Sequence, residues 1–256
     1  MKIEKVKIKN FKSLKNIDIA LSNLTLITGV NSTGKSSFIQ ALLLLKQNWN
    51  LLELNNLLKK PLNINGDYVR LGNQKDILFQ NAYEENIEIF ISTEIDAFQI
   101  SFNTNDLLFK TNFDIAKSLF NIDKAFQYIQ TDRIAPNIFY DLNHECINEN
   151  NIGTTGEYTA HYINENRHQP LNIVELKHEK SITNHLLENV SLWLNEISHG
   201  IEVSSKIYNE LQKVNLTYQY TYGDNTTNLY TPLNVGFGIT YVLPIIVAIL
   251  KAKEGD

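Results

Sequence analysis

The chain has 256 residues, 43% of them hydrophobic and 20% charged, and this balance excludes wholesale disorder. A formal net charge of −5 argues against a protein that coats nucleic acid over its whole surface. The single cysteine, Cys146, excludes an intrachain disulfide, and the apolar run Tyr241–Leu250 is far shorter than the roughly 20 residues that span a bilayer. We therefore expect a cytoplasmic protein without a membrane segment.

The first part of the chain, residues 1–65, is predicted to form strands, a glycine-rich loop and a helix. Ile3–Ile8 and Ile17–Leu21 have the composition of strands, and the second alternates apolar with polar residues. Leu24–Thr28 is more continuously apolar, which is typical of a central strand covered on both faces. Ser36–Trp49 has almost no polar side in its middle and is therefore predicted to be a buried helix.

Residues 66–110 are predicted to form an antiparallel β insertion. Two runs in this part alternate apolar with polar residues, and a turn at Ile95–Ala97 would join them as a hairpin. The alternating apolar positions are Ile87, Ile89 and Ile91 in the first run and Phe98, Ile100 and Phe102 in the second.

Residues 111–256 are predicted to be mixed α/β structure around an irregular stretch, 134–180, that proline and glycine interrupt. The elements expected here are a strand at Lys124–Gln130, a helix at Leu186–Ile197, strands at Ile201–Ser205 and Val214–Tyr222, and a helix at Ile239–Lys251. The whole chain is expected to be a single α/β domain with an attached β layer.

A glycine-rich loop follows the third predicted strand. Residues 29–36 read Gly-Val-Asn-Ser-Thr-Gly-Lys-Ser and match the phosphate-loop motif G-x-x-x-x-G-K-[ST] at every fixed position. Backbone N–H groups can surround a phosphate only where side chains do not intrude, and the two glycines permit that approach. The positive end of the following helix points to the same place. The motif therefore predicts a nucleoside triphosphate site, with ATP and Mg²⁺ as cofactors.

The motif predicts a specific role for two residues of this loop. Lys35 would reach the β- and γ-phosphates with its ammonium group, and the Ser36 hydroxyl would bind Mg²⁺. The alternative interpretation is a glycine turn followed by a solvated lysine. No pattern for base recognition distinguishes ATP from GTP. The expected nucleotide-binding residues are Gly29, Asn31, Ser32, Thr33, Gly34, Lys35, Ser36 and Ser37.

The surroundings of the loop resemble one branch of the P-loop ATPases, the ABC-type ATPases related to SMC, RecF and the OLD-family nucleases. Residues 8–14, Ile-Lys-Asn-Phe-Lys-Ser-Leu, are similar to the NFKSL opening of that branch, and Asn31 stands where these proteins favour asparagine. The resemblance implies a P-loop NTPase fold, the ABC-type ATPase head. It also places Lys12 and Ser13 beside the adenine and ribose.

Two later segments resemble the OLD-like bacterial ATPases. Residues 152–160, Ile-Gly-Thr-Thr-Gly-Glu-Tyr-Thr-Ala, are similar to their GxxGEYT segment, and residues 234–244 are similar to their NVGFGxSxxLP segment. The second takes the place of the ABC signature motif, which in the family faces the γ-phosphate bound by a second subunit. The signature-like residues are Asn234, Gly236 and Gly238. The structural alternative is a plain loop before a buried helix.

The resemblance implies a homodimer that holds ATP between two heads and acts in DNA repair or anti-phage defence. DNA and a nuclease domain or partner protein are the further partners that it implies. In the family an acidic pair follows the signature helix, and no such pair occurs before Asp256. We therefore expect a head that is incomplete at its C-terminus, with an apolar sheet edge uncovered, unassigned catalytic residues, and hydrolysis that depends on residues absent from this chain.

Other interpretations stay open at this point. A non-hydrolysing nucleotide switch or regulatory subunit would also lack the acidic pair, whereas residues 234–244 disfavour a kinase of another P-loop class. Gln130, or else Gln74, is the candidate for the glutamine that senses Mg²⁺ and the γ-phosphate in ABC-type ATPases, and either could be a surface residue. The six lysines of the first fifteen residues are either a strip for DNA phosphates or the solvated face of an edge strand. The histidine spacings predict no zinc site.

Overall fold

The structure, a computed structural model, shows two compact units, one formed by residues 1–122 and one by residues 123–256. Each unit is mixed α/β structure with an antiparallel sheet. The described residues are 2–53, 60–94, 97–111 and 126–253.

The first unit contains a five-stranded antiparallel sheet. Its strands follow the order β2-β1-β3-β4-β5, so that the insertion strand β3 lies directly beside the N-terminal strand β1. The apolar positions predicted to alternate in the insertion are all buried, which confirms the hairpin of β3 and β4. Of the turn predicted to join them, Ile95 and Asp96 lie outside the described residues. The strands are β1 (Ile3–Phe11), β2 (Leu14–Ala20), β3 (Asn86–Thr93), β4 (Ala97–Asn103) and β5 (Phe109–Thr111).

Helix α1 (Lys35–Gln47) follows the glycine-rich loop, packs against β1 and continues after a short break into α2 (Trp49–Glu53). The break is at Asn48, which is only 2% exposed. Its side-chain amide donates to the carbonyls of Leu44 and Asn63, and its oxygen accepts from the Asn63 N–H at 2.6 Å. The C-terminal end of α1 is thereby attached to the chain that follows it.

The strand predicted at Leu24–Thr28 is wrong. These residues have no regular secondary structure and pair with no described strand, and Leu24 and Leu26 are 87% and 83% exposed. Apolar composition alone predicts the strand, but a strand forms only where a second backbone supplies its hydrogen bonds. Both neighbours of β1 in the sheet are already taken, by β2 and β3.

The second unit has a sheet of order β6-β8-β7, in which β9 also pairs with β8. Two longer helices pack on its strands, and the C-terminal helix packs on those two helices. Its apolar core includes Tyr218, which is fully buried in line with Val214 and Leu216 on the same strand. The elements are β6 (Phe139–Asp141), α3 (His144–Asn148), α4 (Thr159–Asn166), α5 (Leu186–Ile197), β7 (Ile201–Tyr208), β8 (Lys213–Tyr222), β9 (Asn225–Thr226) and α6 (Phe237–Leu250).

Two predictions for this unit fail. The stretch 134–180 is not irregular throughout, because it contains β6, α3 and α4. The predicted strand Lys124–Gln130 is not formed at 126–130, where the chain bonds to a neighbouring loop instead of a strand, and Lys124 and Ala125 lie outside the described residues. Hydrophobic periodicity does not predict helix α4, because two of its buried positions are polar. These are His161 and Asn164, which are 0% and 8% exposed.

The outer edge of β7 is covered by side chains. The Asn164 amide donates to the Ser205 carbonyl at 2.8 Å, and the Val203 N–H donates to the Ser191 hydroxyl at 3.4 Å. An uncovered strand edge would offer unpaired backbone groups to other chains. Helices α4 and α5 therefore protect this edge as well as packing on the sheet.

Candidate nucleotide-binding site

The predicted phosphate loop lies immediately before α1 and has the backbone of an anion-binding loop. Gly29 and Gly34 have φ values of 146° and 98°, and Ser32 has a φ of 64°. Gly34 is the residue at the N-terminal cap of α1, and no side chain caps the helix there. The first N–H groups of α1 are thus left without side-chain acceptors, which is the condition under which a helix N-terminus binds an anion.

Lys35 lies over the same loop. Its ammonium group donates to the carbonyls of Gly29 at 2.7 Å and Val30 at 2.6 Å. The Thr33 hydroxyl also donates to the Val30 carbonyl, at 2.8 Å, and this bond turns the loop back on itself. The ammonium group therefore lies at the loop, where two hydrogen bonds to backbone carbonyl oxygens hold it.

The residues expected to face a nucleotide are accessible. Asn31, Ser32, Thr33 and Ser36 are exposed, whereas Ser37 is buried against the body of the unit. Backbone N–H groups and one ammonium group for the phosphates, with the Ser36 hydroxyl oxygen for the metal, are the groups that a triphosphate with Mg²⁺ requires. These residues fit the cofactor that the motif predicts.

The turn between β1 and β2 packs on the start of α1, and it carries Lys12 and Ser13. The Lys12 ammonium group donates to the Gln40 side chain at 2.8 Å, and the Ser13 and Ser37 hydroxyls are hydrogen-bonded at 3.0 Å. The structure thus brings the two residues predicted beside the adenine and ribose to the phosphate-loop helix. The contact with Gln40 is not visible in the sequence, because nothing local links residues 12 and 40.

Close packing at this turn explains why Gly34 is glycine. A Cβ atom there would lie 2.7 Å from Leu14 Cδ2 and 3.1 Å from Ser13 Oγ, in addition to the strain of a φ of 98°. Any larger residue would separate the turn from α1. The packing and the backbone conformation of this unit therefore favour glycine at position 34.

The signature-like segment lies in the second unit, at the start of α6. Gly236 is the N-terminal cap of the helix, with φ −59° and ψ 135°, and Gly238 is the second helical residue. A Cβ atom added at either glycine would meet no other atom within 4 Å. Phe237 between them is 68% exposed. Neither the backbone conformation nor the packing of this unit requires glycine at these two positions.

The second resembling segment contacts the same helix. Gly156 has a φ of 77°, and a Cβ atom there would lie 2.6 Å from the Pro244 Cβ atom. Residues 152–160 and 234–244, which carry the two later resemblances, therefore pack directly on each other. The sequence predicts each segment separately but gives no sign of their contact.

The two candidate glutamines occupy different surroundings. Gln130 lies in a segment without regular secondary structure, its N–H donates to the Thr154 carbonyl at 2.8 Å, and its side chain makes no hydrogen bond within the described residues. Gln74 begins a short 3-10 helix, and its side chain faces the carbonyls of Thr104 and Asn105 at 3.3 and 3.2 Å. Gln74 thus has a structural role inside the first unit, and Gln130 keeps a side chain available for a ligand.

The basic N-terminal strand is largely neutralised by neighbouring carboxylates. Lys5 and Lys7 contact Asp18 at 3.0 and 3.1 Å, and Lys9 contacts Glu88 at 3.2 Å. The hydrogen bond from Lys5, followed by that from Lys7, lowers the pKa of the Asp18 carboxyl below its usual value. These pairs favour the interpretation of a solvated strand face over a strip for DNA phosphates.

No group of three or more histidine, cysteine or carboxylate side chains among the described residues is arranged to hold a metal ion. None of the helices in the described ranges is long and apolar enough to cross a membrane.

Comparison with protein families gives the same assignment as the loop. The sequence model of the AAA ATPase domain family matches residues 1–230. The chain belongs to this family. Among the curated proteins, none shows significant similarity to it.

Solved structures resemble this AAA ATPase domain at low sequence identity. An SMC head bound to the C-terminal winged-helix domain of ScpA shares 14% identity, with 98% of this chain and 78% of that chain covered and a TM-score of 0.54. RecF with ATP shares 14% identity over 98% of this chain and 81% of that chain, with a TM-score of 0.41. The likeness to the SMC head shows a shared fold, the P-loop ATPase head, and confirms the predicted fold class.

Proposed function

We propose that this AAA ATPase domain binds Mg-ATP at the loop Gly29–Ser36 and forms a homodimer around the bound nucleotide. The observation that carries the proposal is the loop itself, which leads into the start of α1 without a side-chain cap and accepts hydrogen bonds from the Lys35 ammonium group. In this site Lys35 is the phosphate-binding cation, Ser36 is the Mg²⁺ ligand, and Lys12 and Ser13 lie on the adenine side.

The dimer proposal rests on the two glycines at the start of α6. The packing of this unit does not require glycine at these two positions. Glycine would be required there if a phosphate or a backbone from another chain had to approach closely. The signature-like residues Asn234, Gly236 and Gly238 are therefore assigned to the nucleotide bound by a second copy. Exposed Phe237 would be covered in the same contact. Gln130 is assigned as the residue that senses Mg²⁺ and the γ-phosphate.

The proposed biological setting is DNA repair or anti-phage defence, in the manner of the OLD-like ATPases that residues 152–160 and 234–244 resemble. The solved SMC head is bound to a winged-helix domain of ScpA, so heads of this fold bind protein partners. For this chain the proposed partners are a second copy, DNA and a nuclease domain or protein. The proposed compartment is the cytoplasm.

Sedimentation velocity with and without Mg-ATP tests the dimer directly. The wild-type chain is expected to sediment as a monomer alone and as a dimer with Mg-ATP, whereas Lys35→Ala is expected to remain monomeric in both. Lys60→Ala, a change of an exposed lysine outside the loop, is the matched control and should behave as the wild type. Dimerisation that does not depend on ATP, or that survives in Lys35→Ala, would disprove the proposal. Phosphate release by the same samples separates an ATPase from a non-hydrolysing switch.

A further inference from the structure

Arg133 makes a long-range polar contact with helix α6. Its Nη1 atom donates to the Tyr241 carbonyl at 3.2 Å, although the two residues are 108 positions apart in sequence. Its Nε atom is also buried and has no acceptor among the described residues. Within the described residues this bond is the one that the part-buried guanidinium group makes, and an unpaired buried N–H group costs free energy.

Helix α6 has a weak point next to this contact. Pro244 lies inside the helix and has no N–H group, so the Thr240 carbonyl loses its usual intrahelical donor. Arg133 donates to the carbonyl of the following residue, Tyr241, and so joins residue 133 to the helix one residue from this missing bond.

Arg133 is also part of the segment that carries Gln130. The Gln130 N–H donates to the Thr154 carbonyl at 2.8 Å, and the Ile134 N–H donates to the Thr155 carbonyl at 3.0 Å. These bonds fix residues 130–134 to the turn that ends at Gly156. Gly156 at the end of this segment packs on Pro244 of α6. Residues 130–134, residues 154–156 and α6 are therefore in mutual contact around Arg133.

We propose that Arg133 is a positioning residue, whose guanidinium group holds the first turns of α6 in register with the segment that carries Gln130. The inference rests on the proposed function, because it concerns how the glycines of the signature-like segment are presented to a second copy. Neither the family match nor the phosphate loop assigns a role to this arginine. Its action is expected on dimerisation and not on the binding of ATP to one chain.

The test compares two equilibrium constants in the same variants. Mg-ATP affinity is measured by calorimetry at a chain concentration at which the protein is monomeric, and the dimer dissociation constant by sedimentation at saturating Mg-ATP. Arg133→Met is expected to keep the ATP constant within about twofold while the dimer constant rises about tenfold or more. Arg133→Lys, which keeps a charge and a donor, is expected to lie between Arg133→Met and the wild type.

Arg167→Met is the matched control, since Arg167 is also part-buried in the second unit and also donates to a backbone carbonyl, that of Asn164, at 3.0 Å. It should change neither constant. An Arg133→Met chain with an unchanged dimer constant, or with ATP affinity weakened as much as dimerisation, overturns the inference. If Arg133→Met does not fold, an unchanged dimer constant in Arg133→Lys does the same. A wild-type chain that fails to dimerise with Mg-ATP overturns the proposed function itself, and the inference with it.

Discussion

Replacing Gly238 by alanine should change the stability of the folded chain and its ATP-dependent dimerisation in opposite directions. The added methyl group would meet no atom within 4 Å, and Gly238 has an ordinary helical position at the start of α6. Glycine in a helix costs about 0.5–1 kcal/mol relative to alanine. The variant should therefore be more stable than the wild type by up to about 1 kcal/mol, a rise in Tm of about 2 °C for a chain of this size.

The same methyl group would occupy the space through which a second copy's nucleotide is proposed to approach. Gly238→Ala should consequently lose ATP-dependent dimerisation while it keeps Mg-ATP binding. The assays are thermal unfolding, sedimentation with Mg-ATP and calorimetry on one preparation. A variant less stable than the wild type would refute the view that the site is open, and normal dimerisation would refute the signature assignment.

Gly156→Ala is the control for this reasoning, because the same substitution there has a structural penalty. The φ of 77° is strained for alanine by about 1–2 kcal/mol, and the new Cβ atom would lie 2.6 Å from Pro244, which adds about 1–3 kcal/mol of overpacking. We expect a loss of about 3 kcal/mol in the free energy of unfolding. Equal effects at both glycines would contradict the account.

Three further substitutions test the packing of the two units. Asn48→Ala should cost about 2–3 kcal/mol of stability, measured by urea unfolding, because the backbone N–H and carbonyl of Asn63 lose a buried partner. The hydrogen bond from the Thr183 hydroxyl, with backbone bonds from residues 182 and 183, lowers the pKa of Glu188 to about 2, so its contribution is complete above the usual carboxyl pKa and is lost as the pH falls towards 2. Glu188→Gln should abolish this acid-dependent part, about 1 kcal/mol after solvent screening, in unfolding curves between pH 5 and 2. Asn164→Ala should cost about 1–2 kcal/mol in thermal unfolding because a carbonyl on the outer edge of β7 loses its donor, and an unchanged Tm would show that the edge is satisfied otherwise.

The parts of the fold that the sequence predicts well are those with a strong local pattern. The alternation in β3 and β4 identifies their buried face, and the helix Leu186–Ile197 is found with both ends correct. The phosphate-loop motif is likewise recognisable, because its four fixed residues lie within eight positions at the start of α1. In each case the chemistry is contained in a short stretch of chain.

The parts that fail depend on distant partners. Leu24–Thr28 has the composition of a strand, but strand formation requires a neighbouring backbone that its own residues cannot supply. Helix α4 buries His161, whose Nδ1 atom accepts a hydrogen bond from the Asn143 N–H, so a polar residue stands where a periodicity search expects an apolar one. Tyr218 is buried because it continues the apolar alternation of Val214 and Leu216.

The candidate site shows the same division. The residues that would contact phosphate follow from the motif, whereas the contacts that hold them do not. Lys12 bonds to Gln40, Gly156 packs on Pro244, and both contacts join residues that are far apart in sequence. Only the folded chain shows that these supporting contacts exist.

The central claim is that the loop at Gly29–Ser36 binds Mg-ATP, and calorimetry on the wild-type chain and on Lys35→Ala tests it most directly. The account predicts one ATP bound per chain with micromolar affinity, and a loss of binding in a Lys35→Ala chain that unfolds at the wild-type temperature. A folded wild-type chain that does not bind Mg-ATP, or a Lys35→Ala chain that binds it equally well, would contradict the account.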